Sequence, residues 1–235
     1  MPCIKVPAVL PPLRPWSKNA QNRCEYDDIM SYWIAHEAIT FLIDLGKYHQ
    51  ALHDFLTHDE KEQELRFIPV ISRQRFVVSR TILKHILSEI LAKEKIADII
   101  LIRTENGRIL VKDQPHVYIC LSYSGTSIAI TVGKRKLGSD IEGVRQVQDK
   151  KISASPIFNN YSCAPGKERM WQVIHVWTLV ESYSKLYDKN PYPLLNACSP
   201  FKDVDFVSYC IDQRIIFSLA TVRGHFTDVL VWLDI

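Results

Sequence analysis

The sequence has no apolar run close to the roughly 18 residues that a membrane-spanning helix needs, so a soluble protein with no membrane partner is expected. It has no CxxC pair either. Its six cysteines, Cys3, Cys24, Cys120, Cys163, Cys198 and Cys210, are scattered, which points to neither a zinc site nor a disulfide framework and suits reduced thiols in the cytoplasm. Strong charge of one sign is also missing: 29 Lys and Arg stand against 26 Asp and Glu, for a net +3, without a concentrated basic stripe. Nucleic acid is therefore a disfavoured partner. What is present is an ordinary globular composition, 47% hydrophobic and 23% charged, over 235 residues, enough for one large domain or two small lobes. The opening "MPCIKVPAVLPPLRPW" carries five of the 12 prolines, which interrupts the apolar core of a signal peptide and predicts an extended arm.

Along the chain the periodicity changes several times. "DDIMSYWIAHEAITFLIDL" and "YHQALHDFL" show neither clean alternation nor full helical spacing and predict mixed strand and short helix. "LTHDEKEQEL" offers Thr57 as an N-cap with Glu60 three residues on, the capping box of a helix start. In "RQRFVVSRTILKHILSEILAKE", Phe76, Leu83, Leu87 and Ile90 recur at helical spacing and predict an amphipathic helix. From Ile99, "DIILIRT", the turn "ENG" and "RILV" read as a hairpin, and "HVYICLSYSGTSIAITVGKRKLGSDIEGV" reads as several strands. The Pro-broken "KKISASPIFNNYSCAPGKER" predicts a long irregular connection. A helix follows in "WQVIHVWTLVESYSKLYDK", with Val173, Val176, Trp177, Val180 and Tyr183 on one face, and then strands with turns at Asp212 and Gly224. Helices followed by strands, twice over, predict an α+β chain of two similar lobes.

In "LGSDIEGVR" the acids Asp140 and Glu142 are two apart on a strand, so they project to the same side, where two anions repel and favour a cation. On the later helix Glu181 and Lys185 are one turn apart, with Trp177 a turn earlier. A third carboxylate beside a lysine would complete a set suited to a hard cation that keeps positions open for phosphate oxygens, as magnesium does. Taken singly, the pieces have plainer readings: a solvated turn for Asp140 and Glu142, and a surface pair worth about 0.2–0.5 kcal/mol for Glu181 and Lys185.

Their joint order resembles the 4′-phosphopantetheinyl transferases, in particular the Sfp-type branch. Gly138-Ser139-Asp140-Ile141-Glu142 is similar to that family's Gly-x-Asp-x-Glu segment. Trp177-Thr178-Leu179-Val180-Glu181-Ser182-Tyr183-Ser184-Lys185 is similar to its Trp-(Ser/Thr/Cys)-x-Lys-Glu-(Ser/Ala)-x-x-Lys segment. Upstream, "CLSYSGTSIAI" resembles the family's Leu-Ser-His-Ser strand, "ENGRI" its Gly-Lys-Pro turn, "SRTILKHIL" its Ser-Arg-x-x-Leu-Arg helix and "LTHDE" a Leu-Ser-x-x-Glu opening.

The resemblance implies a two-lobed pseudodimer of similar α+β subdomains in one chain. Residues 1–115, with the Pro-rich arm, would form the N-terminal lobe and 116–235 the lobe carrying the metal site, with coenzyme A in the cleft. It implies transfer of phosphopantetheine from coenzyme A to a serine hydroxyl of an apo acyl or peptidyl carrier protein, by a monomer. Asp140, Glu142 and Glu181 would bind magnesium, with manganese as a substitute, and Glu181 and Lys185 would be catalytic. Coenzyme A would be held by Arg80, Lys84, Arg108, Ser122, Tyr123, Asp140 and Lys185. An alternative is a non-catalytic carrier-protein-binding module of the same fold.

The chain departs from the pattern at three places. Tyr123 stands for the histidine of Ser-His-Ser, Val180 for the lysine before the glutamate, and Arg108-Ile109 for Lys-Pro. Val180 either marks a lost phosphate contact or packs inward with Val173, Val176 and Trp177. Arg80 and Lys84 either hold the 3′-phosphate or form a solvated helix face; Ser122 and Arg108 have similarly plain readings as strand and hairpin residues. His49 and His53 lack the glutamate of a zinc-protease motif, His36-Glu37 lacks a second histidine, and Cys120 reads as core.

Overall fold

The computed structural model describes residues 11–16, 23–47, 53–144, 157, 167–196, 201–224 and 226–233. In chain order the main elements are β1 (Leu13–Trp16), β2 (Arg23–Cys24), α1 (Ile29–Ala35), β3 (Ala38–Asp44), α2 (His58–Leu65), α3 (Val70–Ile90), β4 (Leu101–Arg103) and β5 (Ile109–Val111). There follow β6 (Tyr118–Ser124), β7 (Ser127–Gly133), β8 (Leu137–Gly143), α4 (Lys167–Tyr187), β9 (Val204–Ile211), β10 (Ile215–Val222) and β11 (Asp228–Leu233). The architecture is α+β. Among the described residues no helix is long and apolar enough to cross a membrane.

The chain divides into two compact units, Lys18–Arg135 with Phe226–Ile235, and Met1–Ser17 with Lys136–His225. In sequence the change from one to the other thus falls after β7 and not near Pro115. The cause is strand pairing: β7 hydrogen-bonds with β3 and β6 with β7, whereas β8 joins β10.

In the unit built around Lys18–Arg135 the sheet runs β2-β11-β3-β7-β6. Strand β3 is "AITFLID", buried almost throughout, as expected for a central strand covered on both faces. Phe41, Ile43, Ile128 and Ile130 meet Val78, Ile82, Leu83, Ile86 and Leu87 of α3 in one core. The α3 residues recur at three- and four-residue intervals because that spacing keeps them on one helical face. The expected capping box opens α2: Glu60 N–H donates to Thr57 Oγ1 over 3.3 Å and Thr57 N–H donates to Glu60 Oε2 over 2.9 Å. The expected hairpin is β4–β5, pairing Arg103 with Ile109 across a turn that needs Gly107 at φ +91°.

In the other unit the sheet runs β1-β9-β10-β8. β9 and β10 form a tight hairpin in which Asp212 and Gln213 both take positive φ, 47° and 53°, the combination that matches the right-handed twist of its strands. Helix α4 lies on β8 and β10. It begins at Lys167, so the last residues of the segment expected to be irregular are helical; apart from Ile157, the rest of that segment lies outside the described residues, as does His49. Cys24, Cys120 and Cys210 are not joined in disulfides, and Cys3, Cys163 and Cys198 lie outside the described residues.

Candidate functional site

Asp140 and Glu142 do not sit in a turn but within β8, opposite Ser218 and Ile216 of β10. The strand places Asp140 two residues after Gly138, on the face that α4 covers. A Cβ at Gly138 would overlap the carbonyl oxygen of Ser182 and the amide nitrogen of Leu186, so the helix rests directly on the strand backbone there. That close approach brings the C-terminal half of α4 to the acids. Lys185 Nζ donates to Asp140 Oδ1 over 2.8 Å and to the Ser139 carbonyl over 3.1 Å. Asp140 is only 5% exposed, whereas Lys185 keeps a partly open side chain. Glu181, one turn before Lys185, is half-buried. Burial pushes its carboxyl above the usual range, the charges of Asp140 and Glu142 push the same way, and Lys185 opposes them.

The charges of Asp140 and Glu142 therefore act on Glu181 beside the Lys185 ammonium. All three offer hard anionic oxygens, so they fit a divalent cation such as magnesium in charge and donor type. As placed, Lys185 brings compensating charge to Asp140, and among the described residues no three of His, Cys, Asp and Glu are grouped closely enough to hold a metal ion.

Val180 is not at this cluster. It is fully buried with Ile157, Val173, Val176 and Leu195, which corrects the expectation that it marks a lost phosphate contact: a lysine here would enter an apolar core. Sequence spacing had placed it on the apolar face, and that reading holds.

A second constellation belongs to the Lys18–Arg135 unit. A cavity of about 310 Å³ is lined by Phe67, Ser72, Arg75, Phe76, Arg80, Arg103, Gly107, Ile109, Leu121 and Tyr123. Three guanidinium groups and, among the described residues, no carboxylate line it, a lining whose charge suits an anion. Arg80 is 6% exposed, lies over the Phe76 ring at 5.3 Å, and its buried Nε has no hydrogen-bond partner. Burial lowers its pKa, Tyr123 and Glu60 oppose that shift, and Arg103 adds to it. Arg75 Nε donates to the Gly125 carbonyl over 3.0 Å.

Tyr123 Oη lies 2.9 Å from Ser79 Oγ. Ser79 spends its hydrogen on the Phe76 carbonyl, 3.1 Å away, so Tyr123 is the donor to Ser79 and turns lone pairs elsewhere. Of the other expected coenzyme A residues, Ser122 is buried on the opposite face of β6 from Leu121 and Tyr123. Arg108 follows the lining Gly107, and its amide donates to Thr104 Oγ1 over 3.0 Å. Lys84 is 1% exposed and bonds Glu60 Oε2 at 2.5 Å and the Phe55 carbonyl at 2.8 Å. Neither Arg80 nor Lys84 forms a solvated helix face, which removes that plainer reading. Arg75 and Arg103 were missed in the sequence. Arg75 lies one turn before Ser79 on a helix already read as amphipathic, but Arg103 comes to the cavity through the β4–β5 pairing, which composition does not signal.

No family model matches the chain. It is 23% identical over 144 residues to 4′-phosphopantetheinyl transferase psf-1 of Bacillus pumilus, covering 60% of this chain and 61% of that relative. The chain thus spans about three-fifths of the length of the curated relative it matches.

Proposed function

We propose that this protein transfers 4′-phosphopantetheine from coenzyme A to a serine hydroxyl of an apo acyl or peptidyl carrier protein. The observation that carries the reading is the Lys185–Asp140 pair with Glu142 and Glu181 beside it. The distant likeness to a named phosphopantetheinyl transferase supports the general reaction. The two units, each with a 21-residue helix against its own sheet, support reading the chain as two copies of one α+β plan.

In this reading Asp140, Glu142 and Glu181 would hold magnesium, which when bound neutralises charge on the pyrophosphate of coenzyme A. Lys185 stabilises negative charge on a phosphate oxygen, an exchange for which its present contact with Asp140 keeps it placed. Glu181 takes the proton of the carrier serine. The serine oxygen forms a bond to the β-phosphorus, the bond from that phosphorus to the bridging oxygen breaks, and adenosine 3′,5′-bisphosphate leaves with the electron pair. Taken by itself, the Lys18–Arg135 unit offers Arg75, Arg80 and Arg103 to a phosphate group, and Arg80, whose buried Nε has no hydrogen-bond partner, would gain an acceptor from it.

The test is mass spectrometry of several apo carrier proteins incubated with coenzyme A, magnesium and the full chain. Addition of the phosphopantetheine mass to a carrier is the expected result. Unmodified carriers that nonetheless bind the protein would favour a non-catalytic binding module.

A further inference from the structure

Helix α4 is fastened to β9 and β10 by a chain of buried hydroxyl groups that the chemistry above does not use. Thr178 Oγ1 donates to the His175 carbonyl over 2.8 Å, which commits its only hydrogen. In its 2.8 Å contact with Ser218 Oγ, Ser218 must then be the donor. Ser218 has no second hydrogen for Ser208, 3.0 Å away, so Ser208 donates to Ser218, and His175 Nε2, 2.9 Å from Ser208 Oγ, donates to Ser208. One direction of hydrogen bonding satisfies every group, with a neutral His175 carrying its proton on Nε2. Ser182 Oγ, one turn beyond Thr178, shares its hydrogen between the Thr178 carbonyl at 2.6 Å and the Ser218 carbonyl at 2.9 Å. All five side chains are 0–3% exposed.

These bonds surround the part of α4 that carries the cluster. Ser182 is next to Glu181, Lys185 is less than one turn further on, and Ser218 is the register partner of Asp140. Apolar packing is non-directional and tolerates sliding of a helix along a sheet, whereas hydroxyl bonds hold both distance and angle. A slip of one residue moves a helix by about 1.5 Å, enough to break a hydrogen-bonded ion pair.

We propose that Thr178, Ser182 and Ser218 are positioning residues that fix the axial register of α4, and so set Glu181 and Lys185 against Asp140 and Glu142. The proposal rests on the transferase reading of that cluster. It explains a network that an apolar helix–sheet contact would not need, and misplacement on the scale of about 1 Å is enough to lower turnover about 100-fold.

Thr178→Val keeps the shape of the side chain and removes its hydroxyl. In the full chain, at a temperature where the variant is folded by circular dichroism, kcat for carrier modification should fall at least tenfold. The KM for coenzyme A should change by a smaller factor than kcat, and Mn²⁺ affinity from water-proton relaxation should weaken at least fivefold. Thr178→Ser should restore all three values, and Ser182→Ala should reproduce the split if Thr178→Val does not fold. Wild-type kcat and Mn²⁺ affinity in the folded Val or Ala variant, or an equal loss in Thr178→Ser, would overturn the positioning role while leaving the transferase reading intact. A wild-type protein that neither modifies carriers nor binds Mn²⁺ would overturn both.

Discussion

Lys185 Nζ lies 2.8 Å from Asp140 Oδ1, and the aspartate is the more deeply buried partner of the two. The lysine therefore supports the buried carboxylate. Lys185→Ala should lower stability to urea by about 1.5–3 kcal/mol, the scale of a hydrogen bond to a charged group. It should also abolish carrier modification. Adding Asp140→Asn to that variant should return much of the stability, because a neutral amide is cheaper to bury than a carboxylate that has lost its ammonium, and none of the activity.

Val180→Lys separates family pattern from local packing. With Val180 at 0% exposure among Ile157, Val173, Val176 and Leu195, a lysine must bury an ammonium or displace the core. The expected loss is about 3 kcal/mol or more by chemical denaturation, with no gain in coenzyme A affinity by calorimetry.

At the cavity, affinity and stability should move in opposite directions. Arg103 opposes the charge of the buried Arg80, so Arg103→Ala should leave the melting temperature unchanged or raised. The same change removes a cation from the lining, and the dissociation constant for coenzyme A should rise about tenfold, an effect of about 1.4 kcal/mol that shrinks with added salt. Thermal melts and calorimetry on one preparation read both.

Much of this was legible in the sequence because local chemistry states it locally. The Thr57–Glu60 box, the β4–β5 hairpin and the apolar stripe of α3 depend on residues a few positions apart, and the chain order of Asp140, Glu142, Glu181 and Lys185 was enough to single them out. Pairings across the chain were not legible. Strand β11 lies parallel to β3, and β7 pairs with β3 and carries β6 into the same sheet although β8 follows β7 almost at once. A short alternating strand fits many neighbours equally well. Lys84 illustrates the same limit: its helix face looks solvated in sequence, and only Glu60, 24 residues earlier, makes it a buried ion pair.

His175 makes stability depend on acid. Burial holds its pKa at about 4, below the ordinary 6.5, so the unfolded chain takes up the proton first as pH falls. Its contribution is complete above about pH 6.5 and is lost progressively down to about pH 4, by about 3 kcal/mol in all. Urea midpoints across that range should show the loss, His175→Gln should flatten it, and ¹⁵N spectra at pH 5.5 should show a neutral ring protonated on Nε2.

The central claim is phosphopantetheine transfer through the β8–α4 cluster. Its most direct test is to follow adenosine 3′,5′-bisphosphate release and carrier mass together, with magnesium, for the wild-type chain and for folded Asp140→Ala. The expected result is one bisphosphate released per modified carrier by the wild type and neither product from the variant. Absence of modification on every carrier class by the wild type, or undiminished modification by Asp140→Ala, would contradict it.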